Sequence, residues 1–232
     1  MNHMSKLVFA SSCLFLTPLA LADAPSLSFI EANYSMFDDD EFGDEDLDFD
    51  GYQLNLSFAV SDSFYIPLSY ASSSADDFVS TSFSQEFYSE DFAETMNYDL
   101  NETQLGLGFA FARTENSFFH AELGYLGLEV KLDSSFDFTV ISNGEIFEDS
   151  GSFSISDSFD GLYGELGYQA KFDNGLQTSL AVLYRRVTSS GETIDDTSAL
   201  VEFLYNFTDN FALKAGYETG DKRILVGARY NF

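Results

Sequence analysis

The chain has 232 residues, with 39 Asp and Glu against 10 Lys and Arg, a formal charge of −29. A surface this acidic repels nucleic acid and other polyanions. There are 26 Phe and 13 Tyr, which argues against disorder, and past the N-terminus no apolar run approaches the roughly 18 residues of a membrane helix. Any membrane crossing must therefore be a closed barrel, since lipid satisfies no backbone groups.

Lys6 precedes a short apolar run, Leu7 to Leu21, that ends in Ala20-Leu21-Ala22. A basic start, a short apolar core and a small-x-small site predict a secretory signal peptide over residues 1–22. A lipoprotein cleavage at Cys13 is the alternative, but few apolar residues would precede it. Cleavage after Ala22 leaves one domain, 23–232, with 9 basic residues against 39 acids and a charge of about −30. Cys13, the single cysteine, departs with the signal, so no disulfide is expected.

The mature chain alternates with a period of two, the period of a strand with two different faces. Ile30, Ala32, Tyr34 and Met36 share the first apolar face, and an acidic run, Asp38 to Asp50, follows. Tyr52, Leu54, Leu56, Phe58 and Val60 form the second face, and Ser61-Asp62-Ser63 turns the chain. Phe64, Ile66, Leu68 and Tyr70 form the third. A polar stretch, Ser72 to Asn101, reads as a long loop. Leu105, Leu107, Phe109 and Phe111 come next, then a turn over Arg113 to Ser117, then Phe119, Ala121, Leu123 and Tyr125.

Lys131 to Asp160 reads as a second long loop. Leu162, Leu166, Tyr168 and Ala170 lead into Asp173-Asn174-Gly175, a strong hairpin signal. Thr178, Leu180, Val182 and Tyr184 precede a shorter loop, Thr188 to Asp196. Ala199, Val201, Phe203, Tyr205 and Phe207 turn through Thr208-Asp209-Asn210 into Phe211, Leu213, Ala215 and Tyr217. The closing strand carries Ile224, Val226, Ala228, Tyr230 and Phe232 on one face.

This predicts an all-β fold: a single transmembrane, antiparallel, up-and-down barrel of ten strands, with eight as the alternative. Tight turns alternate with longer connections, the pattern of short periplasmic turns and long, here acidic, extracellular loops. The apolar faces carry Tyr34, Tyr52, Tyr70, Tyr125, Tyr184 and Tyr217 at their loop ends and Phe58, Phe64, Phe111, Phe119, Phe207, Phe211 and Phe232 at their turn ends. Two rings of aromatics are what barrel girdles require.

Essentially all of the mature chain resembles the small outer-membrane barrels of Gram-negative bacteria, the OmpA/OmpX-like superfamily. The carriers are the signal peptide, the strand motifs Gly51-Tyr52, Gly106-Leu107-Gly108, Gly124-Tyr125, Gly167-Tyr168 and Gly216-Tyr217, and the terminal Gly227-Ala228-Arg229-Tyr230-Asn231-Phe232. The departure is the count: OmpA-like and OmpX-like barrels have eight strands. The resemblance implies an outer-membrane location, contact with lipid and lipopolysaccharide, and insertion by the barrel assembly machinery. It makes Ile224, Val226, Ala228, Tyr230 and Phe232 the assembly signal. It does not specify an activity, because the superfamily spans anchors, adhesins, pores and a few enzymes.

The face opposite the lipid carries Glu31, Glu122, Glu165, Glu202 and Glu218 with Arg185, Lys214 and Arg229. Charges inside a low-dielectric wall need partners, so a lumen filled by ion pairs is expected. A narrow, cation-preferring pore lined by surplus carboxylate is the alternative, and interior glycines such as Gly106, Gly124 and Gly167 leave it space. In the first loop Asp46, Asp48, Asp50 and Gly51 resemble the opening of an EF-hand, but Ser57 stands where the bidentate acid belongs. They are weak ligands at most for a divalent cation, and solvated surface charge is the default.

His120, the single histidine of the mature chain, lies toward the periplasmic end of its strand, the wrong side for external catalysis, and reads as structural. No catalytic site, no cofactor and no dedicated metal site follow from the residues. The expectation is a non-enzymatic surface barrel with acidic loops, and the alternative is a narrow diffusion channel.

Overall fold

The computed structural model describes residues 25–39, 47–85, 88–189 and 192–232. The signal peptide expected over 1–22 lies outside the described residues. Ten strands run in chain order: β1 (Phe29–Asp39), β2 (Leu47–Ala59), β3 (Phe64–Gln85), β4 (Tyr88–Phe111), β5 (Ser117–Ser142), β6 (Glu145–Lys171), β7 (Leu176–Ser189), β8 (Glu192–Asn206), β9 (Phe211–Glu218) and β10 (Ile224–Asn231). Each pairs antiparallel with its sequence neighbours, and β1 pairs with β10, so the sheet closes. The closing register puts Ile30 opposite Tyr230 and Ala32 opposite Ala228. Closure leaves no free edge in the barrel wall, which is what lipid demands of a sheet.

The faces fall as the alternation predicts. Leu54, Leu107, Leu123, Leu166, Leu180, Leu213 and Val226 are all exposed on the outside of a closed barrel. An unbroken apolar exterior of this kind fits lipid and not water. At one rim the Phe rings pack on one another, with the centroids of Phe64 and Phe109 4.8 Å apart, Phe111 and Phe119 5.9 Å, and Phe58 and Phe232 5.9 Å. At the other rim tyrosines reach upward to polar partners. Tyr34 Oη donates to Asp50 at 2.9 Å, Tyr184 Oη to Asp195 at 2.7 Å, and Tyr125 Oη to Asp160.

The two long loops are corrected. Ser72 to Asn101 and Lys131 to Asp160 are strand for most of their length, as continuations of β3 with β4 and of β5 with β6. The reason is a swap of faces. Along β5, Phe119, Leu123 and Tyr125 point out within the belt, whereas above it Leu126, Leu128 and Val130 take the inward parity. Water replaces lipid outside, so the apolar residues turn inward and the pattern changes phase without losing its period. Asn143-Gly144, both at positive φ (52° and 87°), makes the β5–β6 turn, the Asn-Gly signature of a two-residue hairpin. The shorter loop, Thr188 to Asp196, is also mostly strand, since β7 runs to Ser189 and β8 resumes at Glu192. The acidic run Asp38 to Asp50 overlaps the end of β1 and the start of β2.

Pairing of β2 with β3 stops at Asp50–Ser74, and pairing of β6 with β7 starts at Asp160–Thr188. Beyond those points β3, β4, β5 and β6 continue as a four-stranded sheet. Among the described residues, Ala75–Gln85 and Glu145–Phe159 have no strand on their outer sides. The β6 portion alone is roughly 50 Å long at about 3.3 Å per residue.

Candidate functional site

The lumen is the site the fold builds. All eight charged residues expected there point inward, and they separate into three groups. In the first, Glu31 of β1 stands opposite Arg229 of β10 in the closing register. Arg229 approaches Glu31 Oε2 at 2.6 Å, and Lys214 Nζ of β9 approaches Oε1 at 2.5 Å. Asn33 and Asn55 donate to Oε1 at 2.8 and 2.9 Å. Lys214 also pairs with Glu202 of β8. Glu31 is 1% exposed and Lys214 4%. Burying such charges costs several kcal/mol each, and only this density of partners offsets it.

The second group lies nearer the loop end. Arg185 of β7 holds Glu218 of β9 at 2.8 Å, and Ser198 Oγ donates to the same carboxylate. Asp196 and Asp221 lie 3.8 and 3.6 Å from Arg185. Arg223 pairs with Asp221 at 2.8 Å and stacks over Phe37. A wider cavity of about 460 Å³ opens beside this group, walled by Leu100, Leu126, Val130, Phe159 and Val187.

The third group is Glu122 of β5 and Glu165 of β6, directly opposite one another. Tyr65 Oη donates to Glu122 at 2.8 Å, and His120 Nε2 lies 2.8 Å from Glu165. A cavity of about 140 Å³ touches all three groups.

The interior glycines do not open a path. A Cβ at Gly106 or Gly124 would meet Tyr163, one at Gly108 the Tyr65 ring, and one at Gly167 the His120 ring. The missing side chains make room for rings from neighbouring strands to lie against the inner wall. At the turn end Leu27, Tyr65, Ala110 and Phe118 form an apolar cluster, with Phe118 1% exposed. Leu27 is held there by Ser57 Oγ, which donates to its carbonyl at 2.7 Å. The described residues just before β1 thus fold in against the turn-side end of the lumen.

Several lumen residues were not singled out from the sequence: Tyr65, Tyr163, Phe118, Arg223 and Glu102, a buried glutamate of β4. Parity marks the four that lie on strands, whereas Arg223 stands just before β10. Asp46 lies outside the described residues, while Asp48 and Asp50 point outward from β2. Asp50 is engaged by Tyr34. The group that does converge is His120, Glu122 and Glu165, with ligand atoms within 4.8 Å of one another. Of the assembly-signal residues, Val226, Tyr230 and Phe232 are exposed on the outer face. Phe232 N–H also donates to the Ser28 carbonyl at 3.1 Å.

A closed ten-stranded antiparallel barrel with an apolar belt, two aromatic girdles and a charged lumen is a transmembrane β-barrel of the outer-membrane type. No family model matches the chain, and no curated protein matches it. Solved structures share the fold. The attachment invasion locus protein Ail of Yersinia pestis is 18% identical, with 88% of this chain and 97% of that one covered and a TM-score of 0.36. The outer membrane protease OmpT of Escherichia coli is 10% identical, with 88% and 94% covered and a TM-score of 0.48. OprG of Pseudomonas aeruginosa is 12% identical, with 90% and 98% covered and a TM-score of 0.37. OmpT and OprG are outer-membrane proteins by name, and the three are of different kinds, so the likeness concerns fold and leaves activity open.

Proposed function

We propose that this chain is a non-enzymatic outer-membrane barrel that works through its exterior. The observation that supports the reading is a long sheet protruding above a lumen crowded with paired charges and rings. Leu27 and Phe118 pack together at the turn-side end of the lumen, and the ion pairs of Glu31, Lys214 and Glu202 line the wall formed by β1, β10, β9 and β8. Beyond the belt, the β3–β6 sheet offers two edges that no strand covers among the described residues, and an exterior of mixed character. Asp76, Asp91, Asp137, Glu145 and Glu148 are exposed on it. So are Phe78, Phe83, Phe147 and Ile155. Unpaired backbone, apolar rings and acids together suit contact with other macromolecules, with lipopolysaccharide bridged through divalent cations among them. The test compares cells displaying the full chain with cells displaying one whose 76–96 and 133–154 segments are replaced by short turns. Both should reach the surface, and only the full chain should raise adhesion to protein- or glycan-coated surfaces. Equal adhesion would remove the sheet from the function.

A narrow cation-preferring channel is the second reading. Glu122 and Glu165, which lack a Lys or Arg partner beside the 140 Å³ cavity, favour it.

A further inference from the structure

Lys214, Arg229 and Arg185 account for three of the five glutamates expected in the lumen from the sequence. Lys214 and Arg229 hold Glu31, Lys214 also holds Glu202, and Arg185 holds Glu218. Glu122 and Glu165 remain, and they face each other directly across the β5–β6 ladder. Like charges in that relation repel, and a buried pair of them needs a compensating cation. Tyr65 gives Glu122 a hydrogen bond but no charge.

His120 is the third member, 1% exposed. Its Nε2 lies 2.8 Å from Glu165 Oε1, while its Nδ1 has no partner among the described residues. Two carboxylates and one imidazole face a shared space, and the two carboxylates have no Lys or Arg paired with them among the described residues. One proton removes one of their charges. One divalent ion removes both and uses the imidazole as well.

The spacing suits an ion. The three ligand atoms lie within 4.8 Å of one another, close to the roughly 4 Å span of atoms set about 2.1 Å from one metal. Imidazole with carboxylate selects the zinc class of ions over calcium and magnesium, which take oxygen ligands. The adjoining cavity of about 140 Å³ has room for water on the open side of the ion.

We propose that His120, Glu122 and Glu165 form a binding site for one divalent transition-metal ion inside the barrel, with Zn²⁺ as its representative. The ion ties β5 to β6 and, through the Tyr65 hydrogen bond, to β3. The site does not depend on the surface reading above.

The test refolds the full mature chain in detergent with Zn²⁺, then removes loose metal by dialysis against excess Ca²⁺. Bound zinc is measured per chain by elemental analysis, with heat-modifiable gel mobility reporting the folded barrel. The wild type should keep close to one Zn²⁺. Glu165→Gln and His120→Ala should each lower retention at least tenfold, while Asp48→Asn with Asp50→Asn should leave it unchanged. If His120→Ala does not fold, Glu122→Gln and the visible spectrum of the Co²⁺-loaded wild type decide. A Co²⁺ spectrum without the bands of a nitrogen- and oxygen-ligated ion overturns the proposal. So does the absence of retained zinc in the wild type, or equal retention in Glu165→Gln or Glu122→Gln.

Discussion

Glu31 and Arg229 face each other across the β1–β10 seam, the one contact that joins the two ends of the chain into a barrel. Arg229 reaches Glu31 Oε2 with both Nε, at 2.7 Å, and a terminal nitrogen, at 2.6 Å. Both residues are almost wholly buried. Closure is therefore held by a charge pair on the inside as well as by the ladder. Arg229→Ala leaves Glu31 with Lys214 and two amides, and should cost about 3–5 kcal/mol, the usual penalty for stranding a buried charge. Guanidinium unfolding of refolded barrels, followed by gel mobility, measures it. Replacing both residues, Glu31→Gln with Arg229→Gln, should cost less than the sum of the two single changes.

Gly108 makes room for the Tyr65 ring, whose hydroxyl holds Glu122. Gly108→Ala should push that ring aside at a cost of about 1–3 kcal/mol, the range for overpacking a filled interior. The change lies in the strand interior and alters no charge. A variant as stable as the wild type would mean the lumen is looser than its packing indicates.

Phe232 packs on Phe58 at the turn-side girdle, in register with Tyr230. Phe232→Asp places a charge where lipid meets water and removes the last ring of the closing strand. Assembled barrel in outer-membrane fractions should fall severalfold, with chain lost to degradation. Wild-type amounts of heat-modifiable Phe232→Asp protein contradict this.

The protruding hairpins should resist protease along their paired lengths and be cut near their tips, around Gln85 and Asn143-Gly144. Backbone held in a ladder is a poor protease substrate, and tips are where nicking concentrates. Mass spectrometry of fragments shaved from intact cells locates the cuts. Cleavage spread evenly over 76–96 and 133–154 would mean the sheet does not persist above the membrane.

The belt was legible because lipid imposes one rule on every strand: apolar out, with aromatic ends. Strand count, the four tight turns and the inward placement of Glu31, Arg185 and Lys214 follow from that rule. The upper strands were not legible because the rule reverses at the rim. Leu126 and Val130 carry the signal on the opposite parity from Leu123 and Tyr125, and Asn143-Gly144 was the turn marker inside the supposed loop. Partner choice within the lumen was beyond the sequence. Parity places five glutamates inside, but only the pairing of strands shows that Glu122 and Glu165 are opposite one another.

The central claim is that the lumen is closed. Purified, refolded wild-type protein in planar bilayers tests it most directly. Leu27 and Phe118 pack together at the turn-side end and the Glu31–Lys214–Glu202 ion pairs line one arc of the wall; on the proposed closed lumen, no discrete conductance steps are expected. Stable, cation-selective steps from the wild type, with the selectivity reduced by Glu122→Gln, would contradict it and make this barrel a pore.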